Sequence, residues 1–158
     1  KEVTATLPGS RHGGRQGVVR WESARPVLEA VKESLPRELG GHYVISVSGM
    51  PFPAPRVVDP AETGGAARAR QREMESVVDR IRSQTRLEVK GATAQPAIVQ
   101  ETPFGVGETR TLLYGFSKVT RPLSAADSEV IFTTRIGAAQ VKATFDLREM
   151  IYRNELSL

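Results

Sequence analysis

Between Glu129 and Asp146 apolar and polar residues alternate almost without error about a Gly137-Ala138 pair. Val130, Phe132, Thr134 and Ile136 share one side of an outgoing strand. Ala139, Val141, Ala143, Phe145 and Leu147 share one side of the return, with the period of two that a half-buried strand requires. Glycine at the first position of a two-residue loop predicts a type II′ turn. That turn sets Ile136 opposite Ala139, Thr134 opposite Val141, Phe132 opposite Ala143 and Val130 opposite Phe145. A slip of one residue would bury Lys142 and Asp146 instead. Met150, Tyr152, Leu156 and Leu158 continue the alternation and predict a third consecutive strand.

The rest of the chain yields further elements. Glu2 to Leu7 reads as a short strand, and Gly17 to Glu22 as another with Val19 and Trp21 on one face. Ser23 then stands as the N-cap of a helix carrying Val27, Leu28, Val31 and Leu35, which Pro36 and Gly40-Gly41 stop. Tyr43 to Val47 is a nearly continuous apolar run of the kind buried on both faces. Strand, helix and strand make a β-α-β unit in outline, with a right-handed crossover if the two strands are parallel neighbours.

Pro51, Pro53, Pro55 and Pro60 impose an extended path on the next segment. A second helix runs from about Ala66 to Gln84, its stripe made of Ala67, Met74, Val77, Val78 and Ile81. Leu87 and Val89 begin a sheet-rich half, followed by strands over Ala97 to Gln100 and Arg110 to Lys118. The latter is apolar on both faces through Leu112, Leu113, Tyr114 and Phe116, which predicts a central position. Gly105-Val106-Gly107 reads as a hairpin loop.

Composition sets bounds on these elements. A chain of 158 residues, 39% hydrophobic and 25% charged, can bury one good core. The expected organisation is a single α+β domain over 1–158, with a flexible N-terminal segment over 1–17 and a Pro/Gly-rich connector over 49–65. Its predicted sheet is antiparallel or mixed, of about five to seven strands, with two helices packed on one face. Having no cysteine, the chain lacks a disulfide framework, a thiolate nucleophile and any Cys-based metal site. No apolar run approaches the roughly 18 residues that span a bilayer. Opening on Lys1 rather than Met, the sequence reads as having lost an N-terminal segment, which leaves export open and the compartment unassigned.

A net charge of +4 raises the question of a polyanionic partner. The densest basic stretch, Arg68, Arg70, Arg72, Arg80, Arg82 and Arg86, is interrupted by Glu73, Glu75 and Asp79. At helical spacing Arg72 faces Glu75 and Asp79 faces Arg82, a self-paired solvated surface rather than a stripe that tracks phosphates. The charge pattern therefore reads against nucleic acid. In the loop Gly9-Ser10-Arg11-His12-Gly13-Gly14-Arg15-Gln16 the glycines have the separation of a phosphate cradle. Arg15 and Gln16 nevertheless replace the lysine and hydroxyl, and a strand follows instead of a helix. Weak anion binding by Arg11 and Arg15 is what remains of that motif.

The candidate chemistry is thin. His12 sits in a loop and His42 opens a strand, where imidazoles ordinarily cap or pack. Ser48 precedes Gly49 at a strand end, but proline rather than a helix follows, so no nucleophile elbow forms. No metal, no cofactor and no catalytic residue is expected.

Three functions of different class follow. The leading one is a non-catalytic structural or protein-interaction module. Phe52, Val57 and Val58 would contact another protein from a segment that its prolines preorganise. The same segment reads more economically as a rigid connector. The order of elements is similar to that of many small α+β modules of bacterial envelope proteins, which implies an exported bacterial accessory subunit. The second is anion or nucleic-acid binding through Arg11, Arg15 and the Arg68 to Arg86 helix. The third is a hydrolase whose cleft gathers His42, Asp59 and Glu62. The balance is against an enzyme, and the oligomeric state is left open.

Overall fold

The computed structural model describes residues 2–6, 16–24, 35–51, 64–102, 109–124, 126–152 and 155–158. In chain order these form β1 (Glu2–Thr6), β2 (Gln16–Trp21), a 3-10 turn (Arg37–Leu39), β3 (His42–Pro51), α1 (Gly64–Ser83), β4 (Arg86–Val89), β5 (Ala92–Ala94) and β6 (Ile98–Thr102). They continue with β7 (Thr109–Ser117), β8 (Glu129–Ile136), β9 (Ala139–Asp146), a second 3-10 turn (Leu147–Glu149), β10 (Ile151–Tyr152) and β11 (Glu155–Leu156).

Two antiparallel sheets face one another. The larger has five strands in the order β1-β2-β3-β7-β6, and the smaller has four in the order β5-β4-β8-β9. Trp21 of β2 meets Phe145 of β9 edge to face at 5.1 Å, and Tyr114 of β7 meets Phe132 of β8 at 5.1 Å. These rings belong to one hydrophobic cluster drawn from both sheets, with Val19, Ile45, Val47, Leu87, Val130 and Val141 around them. Edge-to-face geometry places the positive rim of one ring on the negative face of the next, beyond the gain from area alone.

This arrangement corrects the expected fold class. Among the described residues there is one α-helix, not two packed on one face of a sheet, and the architecture is a β-sandwich. The physical reason lies in the strands: each sheet carries one apolar face, and the two faces bury each other. The expected first helix falls on 25–34, outside the described residues. Its intended N-cap, Ser23, has its hydroxyl engaged by the Trp21 indole N–H and the Val44 amide, both at 3.0 Å. The β-α-β outline is also corrected, since β2 and β3 pair directly and antiparallel, Val19 opposite Val47 and Trp21 opposite Ile45.

Other expectations hold at the level of residues. The β8–β9 register is the one the turn dictates, from Ile136 opposite Ala139 to Val130 opposite Phe145. Positive φ occurs at Gly137 and not at Ala138, as a type II′ turn requires. β7 is central, flanked by β3 and β6.

The third consecutive strand does not form. Asp146 accepts from the Arg148 amide, a 3-10 turn redirects the chain, and β10 and β11 pair with each other instead. Met150 is buried while Ile151 is exposed, as the alternation implies, but Ser157, between Leu156 and Leu158, is also buried.

Helix α1 follows its sequence pattern closely. Met74, Val77 and Val78 are partly buried and Ile81 is fully so, the i, i+3, i+4, i+7 spacing of a single stripe that packs against β6 and β8. On the solvent side Gln71 donates to Glu75 at 3.1 Å and Arg82 pairs with Asp79 at 3.2 Å. Arg80 and Arg82 lie in the last turn, where they complement the helix dipole.

Part of the outer face of the larger sheet is covered. Val44, Leu113 and Ile98 form a second, smaller cluster beneath Leu35 and Leu39. Glycine at 115 makes room for that cover, since a Cβ there would come within 2.8 Å of the Leu39 Cδ2.

Candidate functional site

Of the residues singled out from the sequence, His42 and Ser48 lie among the described residues. Arg11, Arg15, His12, Phe52, Val57, Val58, Asp59 and Glu62 all lie outside the described residues, as do the glycine-rich loop and the Gly105 to Gly107 segment. His42 is half-buried at the start of β3, its Nδ1 3.1 Å from the carbonyl oxygen of Gly40, which is a local cap. Ser48 is followed by a bulge. Gly49 has φ of 77°, and the pairing of β3 with β7 shifts between Val47 and Met50.

The buried polar groups form a structural chain. Thr85 donates to the Ile81 carbonyl at 2.7 Å, its oxygen lies 2.7 Å from that of Thr134, and Thr134 lies 3.3 Å from the Tyr114 hydroxyl. Burial pushes the Tyr114 hydroxyl well above the ordinary phenol range, with the Thr134 contact opposing it. A neutral, sealed phenol is a packing element and does not present a proton to substrate.

Among the described residues no group of three or more His, Asp or Glu side chains is arranged to hold a metal ion. No described helix is long and apolar enough to cross a membrane.

Two surfaces remain. The first is the outer face of the four-stranded sheet, where Glu88, Arg135, Gln140, Lys142 and Thr144 are exposed and Ile131 and Thr133 are half-buried. Cross-strand partners on this face include Glu88 with Ile131, Ile131 with Thr144, and Thr133 with Lys142. Unlike the outer face of the larger sheet, it has no apolar cluster sealed under a turn.

The second is a groove of about 420 Å³ between the carboxyl-terminal end of α1 and the β8–β9 turn, lined by Val77, Arg80, Ile81, Gln84, Arg135 and Gly137. In the sequence Arg80 belongs to a solvated helix face, and Arg135 falls between Thr134 and Ile136 on the outward side of β8. Only the docking of α1 against β8 brings the two to one place. Nothing in their local sequence signals the juxtaposition.

No protein-family model, curated protein or solved structure matches this chain, so its role is read from its own residues.

Proposed function

We propose that the protein is a non-catalytic interaction module: a rigid β-sandwich that docks another protein on the outer face of its four-stranded sheet. One observation carries this reading. The two outer faces are treated differently, Val44 and Leu113 of the larger sheet being buried under Leu35 and Leu39 while the smaller sheet exposes β-branched and charged residues of both signs.

Ile131 and the threonines at 133 and 144 supply a flat surface able to exclude water around a small apolar centre. The surrounding charges, Glu88 and Glu129 among Arg86, Arg135 and Lys142, interleave positive and negative. That pattern complements a protein surface and opposes a polyanion, whose phosphates require a basic track. The Pro-rich segment with Phe52, Val57 and Val58 is kept as a second contact on its sequence argument alone.

Site-specific photocrosslinking in the native cell tests the reading. A crosslinker at position 131 or 144 is expected to give one discrete protein adduct that the same group at Arg68, exposed on α1, does not give. Identical adducts from all three positions, or none from 131 and 144, would overturn it. A crosslinker at position 52 reports separately on the second contact.

A further inference from the structure

We propose that the groove between α1 and the β8–β9 turn is a binding site for a small organic anion, a carboxylate carried on an apolar body.

The lining divides by chemistry. Val77 is half-buried and Ile81 is 3% exposed, and together they make an apolar floor. Arg80 and Arg135, both exposed, line the groove from different elements, and Gln84 adds a neutral amide side chain. No acidic side chain lines the groove to answer those two charges. At about 420 Å³ its volume falls within the ~300–1,000 Å³ typical of small-ligand sites.

Guanidinium presents parallel N–H donors that match a carboxylate in a fork, and it is less strongly hydrated than an ammonium, so two arginines lining one groove favour an oxyanion. The floor requires more than an oxyanion. A bare phosphate or acetate would leave the half-buried Val77 facing water, whereas a hydrocarbon body would cover it.

A Cβ built at Gly137 meets nothing within 4 Å, so this position contributes backbone and no side chain to the lining.

The arrangement is not explained by helix electrostatics alone. Arg80 complements the carbonyls at the end of α1, but Arg135 comes from β8 and has no such role. The neighbouring Arg82, by contrast, is committed to Asp79 and lies outside the groove. Arg135 also borders the partner face on the outward side of the smaller sheet, whereas Arg80 and Gln84 belong to the groove alone, so Arg80→Gln separates the two surfaces.

Decanoate, titrated below its micelle concentration against the ¹⁵N-labelled protein, is the direct probe. Saturable shifts are expected at the Gly137 backbone amide and the Gln84 side-chain amide, with acetate and decanol each binding far more weakly. Arg80→Gln and Arg135→Gln should each weaken decanoate about tenfold, as expected for loss of one charged hydrogen-bonding partner. Arg68→Gln, on the same helix but outside the lining, should leave it unchanged. Both groove arginines are exposed, so the variants are expected to keep the parent's amide spectrum elsewhere. The proposal fails if decanoate gives no saturable shift at these sites, if decanol or acetate binds as tightly, or if Arg135→Gln binds like the parent.

Discussion

The hydroxyl oxygens of Thr85 and Thr134 lie 2.7 Å apart in the fully buried interior, joining positions 49 residues apart in sequence. Thr85 follows α1 and donates back to Ile81, while Thr134 belongs to β8 and reaches Tyr114 of β7. One short polar chain therefore fastens the helix end to both sheets. In a low-dielectric interior such a chain is strong when complete and costly when broken.

Thr134→Val keeps the shape and removes the middle hydroxyl, leaving the Thr85 and Tyr114 oxygens each short of a partner. A loss of about 1–3 kcal/mol in urea unfolding is expected. Thr85→Val combined with Thr134→Val should cost less than the sum of the singles, because the second removal deletes a group already stranded. Additive losses in the cycle would show that the two hydroxyls act independently.

Tyr114 supplies a pH test of the same chain. Burial raises its folded-state pKa above the ordinary value, so the neutral phenol contributes stability that is intact below about pH 10 and is lost as pH rises toward the folded value. In a spectrophotometric titration of the three tyrosines, one should fail to ionise until the protein unfolds. Tyr114→Phe should remove that late transition. Its persistence in the variant would assign it to another tyrosine.

The reach of the sequence follows from what periodicity encodes. Period-two alternation identified the buried side of β8 and β9, and Gly137 fixed their register, because both signals are local. Neither encodes what lies across the buried face. Phe132 and Phe145 are apolar whether a helix or a second sheet covers them, and here Tyr114, Phe116 and Trp21 do so.

β5 escaped notice because it has three residues and follows a Lys90-Gly91 turn, with φ of 50° and 77°, that lacks the usual Asn or Asp. The double-faced apolar character of Tyr43 to Val47 was legible, but its cover over Val44 comes from Leu39 in a 3-10 turn too short to carry a pattern. The groove was illegible for a plainer reason. Arg80 and Arg135 are ordinary surface residues in their own elements, and only tertiary docking makes them neighbours.

Gly137→Ala isolates the backbone contribution of the hairpin turn. Gly137 has φ of 60°, and a Cβ placed there meets no other atom within 4 Å, so the cost is conformational and should be about 1–2 kcal/mol. Gly65→Ala provides the opposite sign. That position is helical with equally open surroundings, and alanine there should stabilise by about 0.5 kcal/mol. Thermal unfolding of the pair decides it, and equal shifts in one direction would refute the conformational account.

Asp127 carries the clearest acid-side dependence. Its carboxylate accepts from the Ser124 amide at 2.9 Å and the Ser124 hydroxyl at 3.0 Å, and pairs with Lys90 at 3.0 Å. These contacts hold its pKa below the ordinary carboxylate value, the Ser124 amide contributing most and the Lys90 side chain next. A depressed folded value means the unfolded chain binds the proton first on acidification. The stabilisation is therefore intact above about pH 5 and drains away as pH falls through the unfolded and then the folded value. Asp127→Asn should lose stability at neutral pH and show a flatter acid limb, converging on the parent near pH 2 to within the effect of the amide itself. Carboxyl ¹³C titration resolves the causes, since Lys90→Met should raise the Asp127 pKa more than Ser124→Ala, which leaves the Ser124 amide in place. An acid limb in Asp127→Asn that runs parallel to the parent would show that Arg121 and Asp127 are held against the β4–β5 turn by other contacts, foremost the bond from the Arg121 guanidinium to the Val89 carbonyl at 2.8 Å.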